Sequence, residues 1–97
     1  MNEHSIDDIR AAIDGVDERI VALIAERQKW VEAAGRSKRG ASIDAVRAPA
    51  RVEAVIEKVR ALATHSGASP EVVDATYRAM IGSFIALEEN VHAASTD

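Results

Sequence analysis

Residues 5–39 read SIDDIRAAIDGVDERIVALIAERQKWVEAAGRSKR, and this stretch decides the fold. Apolar side chains recur at helical spacing along its length: Ile6, Ile9, Ile13, Val16, Ile20, Leu23, Ile24, Trp30, Val31 and Ala34. No proline interrupts it before Pro49. Two cations, Arg27 and Lys38, lie inside the stripe, eleven residues apart. On a helix they fall within about 20° of one another and about 16 Å apart along the axis, so they face the same way. Cations on a face that packs against other helices call for anionic partners.

Helix one is expected over about 5–39. Ser5 supplies a capping hydroxyl, Asp7 and Asp8 suit the positive end of the helix dipole, and Gly40 is a plausible terminator. Gly15 and Gly35 weaken it only slightly. Residues 40–48 lack a helical stripe and read as a loop. Helix two, about 49–66, opens on Pro49, carries Val52, Val55, Ile56, Val59, Leu62 and Ala63 on one face, and ends at Gly67. Helix three, about 70–93, starts from the Ser69-Pro70-Glu71 cap and carries Val73, Tyr77, Met80, Ile81, Phe84, Ile85 and Val91. Residues 1–97 thus read as one all-α, three-helix domain with a very long first helix.

Composition sets the outer bounds. The 97 residues are 47% hydrophobic, 29% charged and 3% aromatic, which is ordinary globular material packed through Ile, Val, Leu and Ala. A net charge of -4, from 12 Lys and Arg against 16 Asp and Glu, argues against a nucleic-acid partner. There is no Cys, which excludes disulfides and thiolate chemistry. Neither a signal peptide nor an 18-residue apolar run is present, so the expectation is a cytoplasmic protein with no membrane partner.

Length forces an oligomer. A helix of about 33 residues is about 50 Å long, whereas a compact domain of this size is roughly 30 to 35 Å across. Helices two and three of one chain cover only part of the stripe. The economical solution is a homodimer whose long helices pair antiparallel about a two-fold axis. Arg10 lies about 25 Å along the helix from Arg27 and roughly 80 to 100° round it, so one chain cannot close both on one small ligand. An antiparallel partner brings its own Arg10 beside the far half of the helix and creates two equivalent shared pockets. The space between Arg27 and Lys38 suits a carboxylate-bearing metabolite, with Arg gripping carboxylates bidentately and Lys acting as a point charge.

Arg51 opens helix two at the edge of its apolar face, and Glu88 lies on the apolar side of helix three. Enclosure among apolar groups favours the neutral, hydrogen-bond-donating form of a carboxyl unless a cation compensates. Taken singly, a stripe Arg or Lys is more often a snorkelling side chain or an intersubunit ion pair, and a lone acid such as Glu88 is more often simply paired. The coincidence of Arg10, Arg27, Lys38, Arg51 and Glu88 on faces able to converge carries the site. His4, His65 and His92 have no ligand spacing, so no metal site is expected. Trp30 and Tyr77 read as packing residues.

This pattern resembles the all-helical chorismate mutases and their relatives, the isochorismate pyruvate lyases, from Ile9 to Glu89. The pieces that carry it are Ile9-Arg10-Ala11-Ala12-Ile13-Asp14, Ala25-Glu26-Arg27, Gly35-Arg36-Ser37-Lys38, Val46-Arg47-Ala48-Pro49 before Arg51, and Ala86-Leu87-Glu88-Glu89. The resemblance implies an intertwined dimer in which Arg10 of one subunit enters the site of the other. It implies that Arg10 and Arg27 bind the two substrate carboxylates, and that Arg51 adds positive charge. Lys38 would donate to a carboxylate and to the ether oxygen of the enolpyruvyl group, with Glu88 across that oxygen. Lys38, Glu88 and Arg27 are the implied catalytic residues, and no cofactor is implied.

Two departures bear on the substrate. Typical mutases carry Asp at the position of Ala48 and Glu at that of Val52, the latter reading the ring hydroxyl; both are apolar here. The Ala-Pro-x-Arg-Val segment instead resembles the isochorismate pyruvate lyases, while the longer loop before Arg51 and Glu88 in place of Gln point away from them. Amino-deoxychorismate mutases also combine an aliphatic residue and a Glu at these two positions. Phe84 makes the expected pocket wall more apolar. The resemblance therefore implies a chorismate mutase first, an isochorismate pyruvate lyase or amino-deoxychorismate mutase second. The non-enzymatic reading is a helical dimeric interaction or ligand-sensing module.

Overall fold

A computed structural model describes residues 4–37 and 48–95, with side-chain surroundings through residue 90. The described residues form three helices and no strand: α1 (Ile6–Ser37), α2 (Pro49–Ser66) and α3 (Pro70–Ser95). Lys38, the expected end of helix one at 39 and most of the expected loop over 40–48 lie outside the described residues. The chain divides into two compact units, Met1–Trp30 and Val31–Asp97.

The first unit is built on the N-terminal part of α1. The Ser5 hydroxyl accepts a hydrogen bond from the Asp8 amide at 3.1 Å, and its carbonyl accepts the first helical bond from Ile9 at 3.0 Å. Asp7 and Asp8 place negative charge at the positive end of the helix. The aliphatic stripe is exposed along the whole unit, from 36% at Ile24 through 53% at Ile13 to 63% at Leu23. Trp30, expected as a packing residue, is 72% exposed.

The second unit holds the core. Ile56, Val59 and Ala63 of α2 and Ile81 and Phe84 of α3 are buried, and Gly35, near the C-terminal end of α1, is buried too. α2 ends at Gly67, whose left-handed φ of 83° lets the Ala68 amide reach the Ala63 carbonyl at 2.9 Å and the Gly67 amide reach Thr64 at 3.4 Å. The chain then turns into α3, where the Ser69 hydroxyl accepts from the Val72 amide at 3.2 Å. Leu62, expected on the packed face of α2, is 53% exposed, because it lies about 60° round the helix from Val59, outside the arc of Ile56, Val59 and Ala63.

A chain of ion pairs fixes α2 against α3. Arg60 meets Asp74 at 2.9 Å and donates to the Pro70 carbonyl at 3.4 Å. Arg78 donates from Nε to Asp74 at 2.7 Å and from its two terminal nitrogens to both oxygens of Glu53 at 3.0 and 3.2 Å. The hydrogen bond from Arg78 holds both the Glu53 and the Asp74 carboxyl below their usual range, with Arg60 adding to the effect at Asp74. A depressed folded-state pKa contributes stability that is present above the unfolded value and is lost as pH falls through the folded one. Arg78→Met should therefore melt a few degrees below the unmodified protein at neutral pH. The gap should close on acidification below the ordinary values of 4.5 and 3.8. Circular-dichroism melts across that range check this, and a gap independent of pH contradicts it.

Candidate active site

α3 carries the buried acid. Phe84 and Glu88 are four residues apart, hence on one face, and each is only 8% exposed. Glu88 is the buried charged side chain among the described residues. Its place on the apolar side of the helix, where Ile81 is also buried, continues the face that packs against α2.

α2 brings Arg51 and Val52 from its first turn. Pro49 occupies the first helical position, where its missing N–H costs nothing. Ala48 before it is left-handed, with φ 39° and ψ 64°, and provides no side-chain cap. The turn has no acid, and the Arg51 cation adds to the positive end of the helix dipole instead of compensating it. This differs from α1 and α3, which open on Ser caps and acidic residues. Arg51 is exposed and Val52 half-buried. The pairs Arg78–Glu53 and Arg60–Asp74 give α2 and α3 an antiparallel register in which Val52 is level with about Met80 and Ala48 with about Phe84. Glu88 follows about one turn beyond the start of α2. Val52, Phe84, the buried Glu88 carboxyl and the uncapped positive helix end thus belong to one end of the α2–α3 hairpin.

Arg10 and Arg27 belong to the first unit. Arg10 is exposed and Arg27 half-buried, and their 17-residue spacing puts them about 25 Å apart along α1. One copy of α1 cannot close both on a small ligand. A groove of about 360 Å³ over the first turns of α1 is lined by His4, Asp8, Ile9, Ala12, Ile13 and Val16, and none of the candidate residues lines it. No group of three or more His, Cys, Asp or Glu able to hold a metal ion occurs among the described residues. No described helix is long and apolar enough to cross a membrane.

Sequence reasoning passed over two features of this hairpin. Arg78 stands four residues after Asp74 on α3, and its second partner, Glu53, becomes visible only once the hairpin register is known. The left-handed Ala48 gives no sign of itself, since Ala, unlike Gly or Asn, does not mark that conformation.

The chorismate mutase type II family matches residues 9–89, and the chain belongs to that family. No curated protein sequence matches it significantly.

The geometry of Ala48 can be tested directly. A left-handed conformation costs an L-residue with a Cβ about 1 to 2 kcal/mol relative to glycine, partly offset by glycine's greater chain entropy. Ala48→Gly should stabilise the protein by about 1 kcal/mol in urea unfolding at fixed protein concentration. Destabilisation by the same amount would contradict the assignment.

Proposed function

We propose that this chain is a chorismate mutase, converting chorismate to prephenate as an antiparallel homodimer without a cofactor. The observation that carries the reading is that the family match over residues 9–89 contains every member of the charged set: Arg10, Arg27, Lys38, Arg51 and Glu88. The exposed aliphatic stripe of α1 supports the dimer, because contiguous apolar surface of this kind marks an interaction face. Its antiparallel pairing puts Arg10 of the partner subunit beside Arg27 and Lys38.

The reaction is a pericyclic rearrangement in which the ether C–O bond breaks as a C–C bond forms. Negative charge grows on the ether oxygen in the transition state. No nucleophile or general base takes part, so the protein acts by selecting the chair-like diaxial conformer and by placing fixed donors where charge develops. Arg27 and Arg10 of the partner subunit bind the two carboxylates and set the conformer. Arg51 adds positive potential. Lys38 donates to a carboxylate and to the ether oxygen, and Glu88 stands across the same oxygen. Phe84 and Val52 form the aliphatic and aromatic wall against the ring.

Isochorismate pyruvate lyase is the second reading, favoured by one observation. Val52 is a half-buried aliphatic side chain and Ala48 carries no acid, so neither accepts a hydrogen bond from the hydroxyl that typical mutases read. The same substitution is compatible with amino-deoxychorismate as substrate. A non-enzymatic dimeric module would bind none of the three.

Incubation of the purified protein with chorismate, isochorismate and amino-deoxychorismate separately, with products resolved by chromatography, decides among them. Prephenate from chorismate is expected. Salicylate with pyruvate from isochorismate would replace the mutase by the lyase, and no turnover of any substrate would remove both. Arg27→Ala and Lys38→Ala should each lower kcat/KM by about 100-fold or more while leaving the helical content unchanged.

A further inference from the structure

The first turn of α2 is weakly held by its own sequence. Ala48 supplies no capping side chain, the first turn carries no acid, and Arg51 opposes the helix dipole. Pro49, Ala50 and Arg51 are exposed, Val52 and Val55 are half-buried, and the first buried residue of α2 is Ile56, almost two turns in. The apolar packing that begins there is non-directional and fixes the rotation of the preceding turn poorly. Ends of this kind open locally.

The directional tie to α3 comes from Arg78. Its guanidinium is held on two sides, by Asp74 at Nε (2.7 Å) and by both oxygens of Glu53 at Nη1 and Nη2 (3.0 and 3.2 Å). Asp74 is itself fixed by Arg60 at 2.9 Å. Rotation of the planar fork would break at least one of these bonds. Glu53 directly follows Arg51 and Val52, so fixing its carboxylate fixes the helical phase of both.

We propose that Arg78 is a positioning residue, whose fork on Glu53 holds the first turn of α2 in the phase that presents Arg51 and Val52 to the substrate. This rests on the reading of Arg51 as part of the substrate site. The side chains of Arg78 and Glu53 are 47% and 66% exposed, so the pair contributes little to global stability, and its effect is local to the start of α2. Lysine cannot replace it, because a point charge does not make the two-pronged contact.

The test is a double-mutant cycle in chorismate kinetics on the full chain: unmodified protein, Arg78→Met, Arg51→Ala and the double variant, with Arg78→Lys as the conservative control. Arg78→Met and Arg78→Lys should each raise KM about tenfold, with kcat held within about threefold. In the Arg51→Ala background, Arg78→Met should raise KM by no more than about threefold, because the cation through which it mainly acts is gone and only the weaker apolar contact of Val52 is left to misplace. Hydrogen exchange at the amides of Val52, Glu53 and Ala54 should speed up in Arg78→Met while the melting temperature falls by only a few degrees. An unchanged KM, an equal change in both backgrounds, or unchanged exchange at those amides overturns the positioning role. Failure of the functional reading is recognised separately, by an unmodified protein that turns over no chorismate, and it removes the role as well.

Discussion

The aliphatic stripe of α1 has to be covered. From Ile6 to Ile24, seven aliphatic side chains repeat at helical spacing, and each is between 36% and 63% exposed. Completing the burial of one such side chain is worth on the order of 1 kcal/mol, so the stripe as a whole holds a driving force comparable to the net stability of a small domain. The same face carries Arg27, with Arg10 at its edge, so whatever covers the stripe lies beside two cations. A second copy of the chain in antiparallel register is the proposed cover, and it makes the positive charge a shared property of two subunits. Site and assembly are then one proposal.

The α2–α3 hairpin poses the opposite problem. Its core is small, with Ile56, Val59, Ala63, Ile81 and Phe84 buried, and apolar contacts of this kind tolerate sliding. Register comes from polar geometry on the outside: Arg60 on Asp74 and Arg78 on Glu53 and Asp74. At the far end, Glu88 is buried one turn beyond the uncapped start of α2. The first turn of α2 has neither a side-chain cap nor an acid of its own, and local choices that disagree with stability tend to collect where a ligand is bound.

Much of the architecture is legible because it is written locally. Stripe period, the Ser5 and Ser69 caps and the terminating Gly67 each act over a few residues, so the all-α, three-helix reading needs no tertiary information. The burial of Glu88 follows in the same way from its phase relative to Ile81 and Phe84. What escaped is what depends on register between helices. The Arg78–Glu53 fork joins residues 25 apart in sequence, and Leu62 and Trp30, apolar and in phase, are exposed in the single chain. The left-handed Ala48 escaped for another reason, since an alanine carries no mark of that conformation. Of the charged set, sequence reading supplied the members and their faces; the roles of Arg10, Arg27, Lys38, Arg51 and Glu88 are chemistry that burial and phase do not assign.

The central claim is that each site takes Arg10 from one subunit and Arg27 from the other. Subunit complementation measures it most directly. Arg10→Ala and Arg27→Ala proteins, each inactive alone, are mixed, unfolded, refolded together and assayed for turnover of chorismate. Random pairing makes half of the dimers mixed, and each mixed dimer has one intact site of two, so the shared-site dimer predicts recovery of about a quarter of the unmodified activity. A mixture that stays as inactive as its components, with mixed dimers demonstrably formed, would contradict it.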